Sequence, residues 1–285
     1  MTKPSFQDYG TYDESAHPDL WDGVVGYWAP CLGPTGTRLF DVSRFNNWGT
    51  LTNMDAPTDW VIDGGQYALD LDGTNDNIAT GAARPYSPGT EYAVGAWVYV
   101  RSLPSSGGFA SLLCSYDIVS SNIFGLDFRL RNDAGTQRLG FVMGDGTGSA
   151  GGADVAYTLA TNTWVHLIAS RQGGTLTVYA NGVSAFTVSG SKGVVGSTTK
   201  ALTIGGFGFY TPTGGDLGRC VNGLVDDIVL WQRGLDQNSV LSLYQRGRGG
   251  MLERRRRRRV YSVQADAVKS YLFAGRGQVI GGGTL

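Results

Sequence analysis

Between residues 163 and 188 the chain reads TWVHLIASRQGGTLTVYANGVSAFTV, and its apolar positions recur at every second residue. Val165, Leu167 and Ala169 alternate with Trp164, His166, Ile168 and Ser170, the period of a strand that lays one face in a core. Gln172-Gly173-Gly174 supplies residues that accept positive φ, after which Leu176, Val178 and Ala180 alternate with Thr175, Thr177 and Tyr179. A second turn at Asn181-Gly182 makes the segment a three-stranded antiparallel meander. Such a meander needs a second sheet over its apolar face.

The same reading extends along the chain. Val24–Trp28 is a first strand, residues 40–51 are turn-rich, and residues 66–80 form two short strands about an Asp-Gly turn. Residues 92–101, YAVGAWVYVR, are nearly continuously apolar, as in a strand at the middle of a sandwich. Residues 109–116, 123–130, 137–143 and 154–159 continue as a meander, and residues 201–206 and 221–231 close the set. About a dozen strands predict a two-sheet jelly roll. One helix is expected, with Asp236 as N-cap, Val240, Leu241 and Tyr244 on one face, and Gly247 just past its end.

Composition agrees: 44 glycines among 285 residues imply many turns, and 41% hydrophobic residues suffice for a core. The net charge of -1 conceals an asymmetry, because Met1–Tyr244 carries 13 basic against 22 acidic residues and the remainder carries ten against two. An acidic body therefore precedes a basic tail, which suits a contact with an acidic partner. Cys31, Cys114 and Cys220 are too few and scattered for a disulfide framework and lack zinc-ligand spacing, so they read as small buried residues. The first twenty residues lack the apolar stretch of a signal peptide, and no apolar run approaches the roughly 18 residues of a membrane helix, so a soluble protein without an ordinary secretion signal is expected. Three regions result: an extended arm at residues 1–21, a domain at 22–246 and a docking tail at 247–285.

Seven pieces in order, GVVGYWAP, DVSRFNNWGTL, YALDLDGTNDNI, VGAWVYV, TWVHLIASRQGGTLTVYANGV, ALTIGG and NGLVDDIVLWQRGLDQNSVLSLY, resemble laminin-G-like domains of the concanavalin A-like superfamily. The resemblance spans about residues 22–244 and implies an all-β jelly roll of two antiparallel sheets. It implies a carbohydrate- or protein-binding module, with a structural calcium ion in many relatives. It does not fix a ligand.

Glycanases of this superfamily set carboxylates along one strand, and glycoside hydrolysis needs two carboxyls at a defined separation. Here Glu-x-Asp-x-x-Glu is absent and only Glu14, Glu91 and Glu253 exist. His166, within the meander, reads as a packed residue bonded to a neighbour rather than a catalytic base, so a non-enzymatic protein is expected. For calcium, Asp41 with Asn46 and Asn47, the loop 70–76, and Asp226-Asp227 offer hard oxygen ligands. The resemblance favours Asp41 and Asp226, with Asn46 as a further ligand from the Asp41 loop, while the competing reading makes these residues Asx-turns that satisfy backbone amides. For a glycan, Trp48, Trp60, Phe207, Phe209 and Tyr210 lie in turn-rich segments and offer aromatic faces, unless they plug the open ends of the sandwich.

In the tail, Arg254, Arg255, Arg256, Arg257, Arg258 and Arg259 precede Tyr261, Tyr271 and Phe273. A solvated run or a nucleic-acid contact would explain the arginines alone, but the apolar residues that follow predict docking on a protein. The tail is also similar to those of some phage-encoded structural proteins with this type of domain. A lectin-like domain without a secretion signal, flanked by arms that need a partner, predicts a bacteriophage virion component released by lysis, a capsid-decorating, neck or tail-fibre protein that contacts other virion proteins and copies of itself in a symmetric oligomer. The rival expectation is a carbohydrate-binding adhesin of a bacterial surface. A third is a nucleic-acid binder acting through the arginine run.

Overall fold

A computed structural model describes residues 17–80, 90–194, 201–207 and 219–252. Seventeen strands are present among them. The first six are β1 (Val24–Trp28), β2 (Arg38–Leu39), β3 (Gly49–Thr52), β4 (Trp60–Asp63), β5 (Gln66–Asp72) and β6 (Asn77–Thr80). The middle of the chain adds β7 (Tyr92–Ser102), β8 (Phe109–Cys114), β9 (Asp117–Val119), β10 (Asn122–Asp133), β11 (Thr136–Thr147) and β12 (Gly151–Ala156). Then come β13 (Trp164–Gln172), β14 (Thr175–Ala180), β15 (Val183–Ser189), β16 (Thr203–Ile204) and β17 (Asn222–Trp231).

They form two antiparallel sheets. One has eight strands in the order β15-β14-β13-β7-β17-β5-β4, with β1 beside β17. The other has nine in the order β12-β11-β10-β8-β16-β6-β3-β2, with β9 beside β10. Val94, Ala96 and Val98 of β7 and Leu167 and Ala169 of β13 meet Leu126, Phe128 and Leu130 of β10 and Phe141 of β11 in the core between the sheets. The jelly roll predicted from alternation is therefore the fold observed.

Alternation on β13 is nevertheless not an alternation of burial. His166, Ile168 and Ser170 on its opposite face are also buried, because the outer side of the eight-stranded sheet carries a second apolar cluster. There Ala93, Ile168, Tyr179, Val229 and Trp231 pack against Leu20, Trp21, Val240, Leu243 and Met251. Two helices supply the cover: α1 (Pro18–Trp21) and α3 (Gln237–Arg246), while α2 (Ala56–Asp59) stands elsewhere, before β4. Helix α3 starts where expected, since the Asp236 carboxylate accepts the Ser239 amide at 2.8 Å, and it stops at Gly247, whose φ of 73° suits glycine. At ten residues it is held by packing rather than by its own propensity.

Both ends of the described chain belong to this cover. The Trp21 indole donates to the Met251 carbonyl at 3.1 Å, and the Trp231 indole donates to the Leu20 carbonyl at 2.8 Å. The folded body thus reaches past the boundaries expected at residues 21 and 247: residues 17–21 and 247–252 are part of it. The rest of the arm, residues 1–16, and of the tail, residues 253–285, lies outside the described residues. Among the described residues no helix is long and apolar enough to cross a membrane.

Candidate functional site

The outer face of the nine-stranded sheet differs from that of its partner. Strand β10 reads Asp127-Phe128-Arg129-Leu130-Arg131, so the apolar members enter the core and the charged members line the opposite face. A groove of about 540 Å³ lies there, walled by Phe109, Tyr116, Asp127, Arg129, Asp154, Phe207 and Arg219, with Gly151 and Gly152 at its side.

Register explains how the charges meet. Arg129 on β10 lies opposite Gly140 on β11, which lies opposite Asp154 on β12. With no side chain at Gly140, Asp154 reaches across β11 to Arg129: a Cβ there would come within 1.8 Å of the Asp154 carboxylate. The guanidinium donates to both Asp154 oxygens, at 3.0 and 2.5 Å, and to Asp127 at 3.2 Å. Asp127 is fully buried and also accepts the Ser111 hydroxyl at 2.6 Å. Burial pushes its carboxyl up to about 6, against the pull of Arg129 and Ser111. The two carboxylates are thus bridged by one cation rather than aimed at open space. The Arg219 guanidinium lies 4.3 Å from the ring centre of Phe109 and 5.0 Å from that of Phe207.

Of the five aromatic residues expected at a glycan site, Phe207 stands in this groove, edge-on to Phe109 at 5.3 Å. Trp60 is buried at the start of β4, with its indole donating to the Gly36 carbonyl at 2.9 Å, so it plugs the sandwich. Trp48 is 42% exposed, meets Phe40 edge-on at 5.0 Å and is not among the groove's walls. Phe209 and Tyr210 lie outside the described residues, as do Arg254–Arg259, Tyr261, Tyr271 and Phe273. Asp127, Arg129, Asp154, Phe109, Tyr116 and Arg219 were not singled out from the sequence. The available signal was the charged face of β10 set against its apolar one.

Asp41 and Asp226, expected to hold calcium, each have hydrogen-bond partners within the chain. The Asp41 carboxylate accepts three backbone amides, from Tyr27 and Ser43 at 2.9 Å and from Asn47 at 2.8 Å, as an Asx-turn does. Asn46 holds the turn at φ 54°. Asp226 is grouped instead with Asp227 and Cys31, whose ligand atoms lie within 4.8 Å of one another. Burial and then the charges of Asp227 and Asp226 push the Cys31 thiol up. A cation is already supplied by the chain: the Arg248 guanidinium sits 3.9 Å from Asp226 and 4.0 Å from the centre of the Trp164 ring. Gly249 adds its amide to Asp227. Asp227 also accepts the Tyr27 hydroxyl at 2.7 Å.

His166 is packed, as expected, against Trp97 at 4.9 Å and Tyr244 at 6.4 Å, two rings that also stack on each other at 5.8 Å. The expected hydrogen bond to a neighbour is missing: Nδ1 is buried without a partner, because aromatic rings and not polar groups flank it.

Two sheets, a charged groove on one outer face and a covered opposite face define a lectin-like jelly-roll protein. The chain belongs to the concanavalin A-like lectin/glucanases superfamily, whose laminin-G-type family model matches residues 72–241. Solved structures with this fold include domain 4 of AbnA, a GH43 extracellular arabinanase from Geobacillus stearothermophilus, in complex with arabinotriose, at 18% identity and a TM-score of 0.54, covering 78% of this chain and 98% of that domain. The binding domain of botulinum neurotoxin serotype D is similar at 14% identity and a TM-score of 0.57, covering 80% of this chain and 52% of that one. Trypanosoma rangeli sialidase in complex with sialic acid is similar at 17% identity and a TM-score of 0.51, covering 79% of this chain. This chain spans about half of the toxin domain and 33% of the sialidase. No curated protein matches it by sequence.

Proposed function

We propose that this protein is a non-catalytic, glycan-binding component of a bacteriophage virion, with the groove turned outward and the basic tail docked on a neighbouring virion protein. The observation that carries the reading is the opposition of its two faces. The groove lies on the nine-stranded sheet, while residues 17–21 and 247–252 close over the outer side of the eight-stranded one. A partner holding both chain ends therefore leaves the groove facing away. Binding rather than hydrolysis is favoured because Asp127 is buried and both carboxylates are held by Arg129.

Two measurements test the halves of this reading. On immobilised glycans, replacing both Phe109 and Phe207 with alanine is expected to weaken binding at least about tenfold. Unchanged binding, or no glycan bound by the natural chain, would overturn the groove assignment. Deletion of residues 253–285 is expected to abolish incorporation into phage particles while glycan binding persists. The cut belongs after Leu252, since Arg248 and Met251 are part of the folded body. A truncated chain that still enters particles would overturn the docking role of the tail, and a full-length chain that never enters them would favour the surface-adhesin reading.

A further inference from the structure

We infer that the groove selects uncharged, hydroxyl-rich sugars over acidic ones, and that the Asp154 carboxylate sets this choice. This rests on the glycan-binding reading above. The described walls hold two carboxylates, Asp127 and Asp154, and two guanidiniums, Arg129 and Arg219. Above the value of about 6 at which Asp127 ionises, they carry no net charge. At the centre the charges are also closed on one another. Arg129 donates three hydrogen bonds, two to Asp154 and one to Asp127. An acidic sugar would gain this guanidinium only by displacing a carboxylate that already holds it at 2.5 Å. It would also bring its own charge against Asp154 and Asp127.

Hydroxyls meet no such conflict. The side chains of Arg129 and Asp154 stay 16% and 17% exposed, so a ligand in the groove reaches both. A carboxylate oxygen accepts more than one hydrogen bond, and Arg129 has N–H groups beyond the three in use. A hydroxyl both donates and accepts, so neighbouring hydroxyls of a sugar ring donate to Asp154 and accept from Arg129 side by side. The two-fold pairing of Arg129 with Asp154 holds acceptor and donor in one plane before a ligand arrives. That placement depends on Gly140, where a Cβ would stand 1.8 Å from the Asp154 carboxylate.

The test uses the full-length chain at pH 7.5 on immobilised oligosaccharides of four kinds: neutral, sialyl-terminated, uronate-containing and sulfated. Asp154→Asn keeps the shape of the side chain and removes its charge, which leaves Arg129, and Arg131 at 3.5 Å, with one counter-ion fewer. Binding of the neutral set is expected to weaken at least about tenfold, and binding of the acidic sets to strengthen. Gly140→Ala pushes the same carboxylate off Arg129 and is expected to shift both in the same directions. All variants retain Arg254–Arg259, so the arginine run contributes equally to each, and matched melting temperatures establish that each variant folds. Neutral binding that survives Asp154→Asn overturns the inference, as does acidic binding that fails to rise in it. A natural chain that binds only the acidic sets, and loses them when Phe109 and Phe207 are replaced, would leave the glycan-binding reading standing and overturn this one alone. No binding to any set would overturn both.

Discussion

Replacing Arg248 with alanine is expected to lower the unfolding free energy by about 3–5 kcal/mol at pH 8, because it leaves a buried carboxylate without its cation. Asp226 is fully buried, its Oδ1 accepts the Cys31 amide at 3.0 Å, and Oδ2 has no hydrogen-bond partner, only the guanidinium 3.9 Å away. Arg248 also stacks on Trp164 and donates to the Asp63 carbonyl, so packing is lost along with charge. The loss should depend on pH. Burial and then the neighbouring Asp227 charge push the Asp226 carboxyl well above the ordinary carboxylate range, while Arg248 draws it down. A carboxyl raised in the folded state holds its proton more tightly there than in the unfolded chain, so ionising it withdraws stability as pH rises. Without Arg248 the folded value rises further, so the deficit of the variant grows as pH climbs past the raised value of the natural chain and narrows below it. Urea unfolding of both proteins at pH 5 and pH 8 measures it. A deficit that is the same at both, or below about 1 kcal/mol at pH 8, would mean that Arg248 does not neutralise this centre.

His166 sets the opposite pH dependence. Burial pushes its imidazole down from 6.5 to about 3, so the folded state keeps it neutral where the unfolded chain would take up a proton. Its contribution is present above pH 6.5 and is lost as pH falls toward 3. Between pH 7.5 and 4.5 the loss is about 2–3 kcal/mol. His166→Phe keeps a ring against Trp97 and Tyr244 and removes the titration. Unfolding free energies of the variant are therefore expected to fall about 2–3 kcal/mol less than those of the natural chain across that interval. Acidification also acts on Asp226 and Asp227, in the stabilising direction, but both proteins share that term and it cancels in the difference. Parallel curves for the two proteins would show that the imidazole is solvated or paired after all.

These two centres lie in segments whose roles were only partly legible. The strand at Tyr92–Ser102 could be placed by its unbroken apolar run, yet what covers its second face could not, because Leu20, Trp21 and Met251 come from opposite ends of the chain. Arg248 reads in the sequence as the start of a basic tail and proves to be part of the folded body. Asp41 and Asp226 look alike as hard ligands, but three amides enclose one while an arginine faces the other. The groove depends on a row of register partners, Arg129, Gly140 and Asp154, drawn from three strands.

Alternation with period two, turn glycines and the Asp236 cap are local properties, fixed by backbone sterics and by which side of a strand each residue faces. They were enough to determine two antiparallel sheets, the meander at residues 163–188 and the helix before Gly247. Which strands adjoin, which charges are buried together and which face stays open depend on contacts between residues as far apart as Trp21 and Met251. Those contacts form only when the sheets close on one another, and the tertiary structure alone decided them.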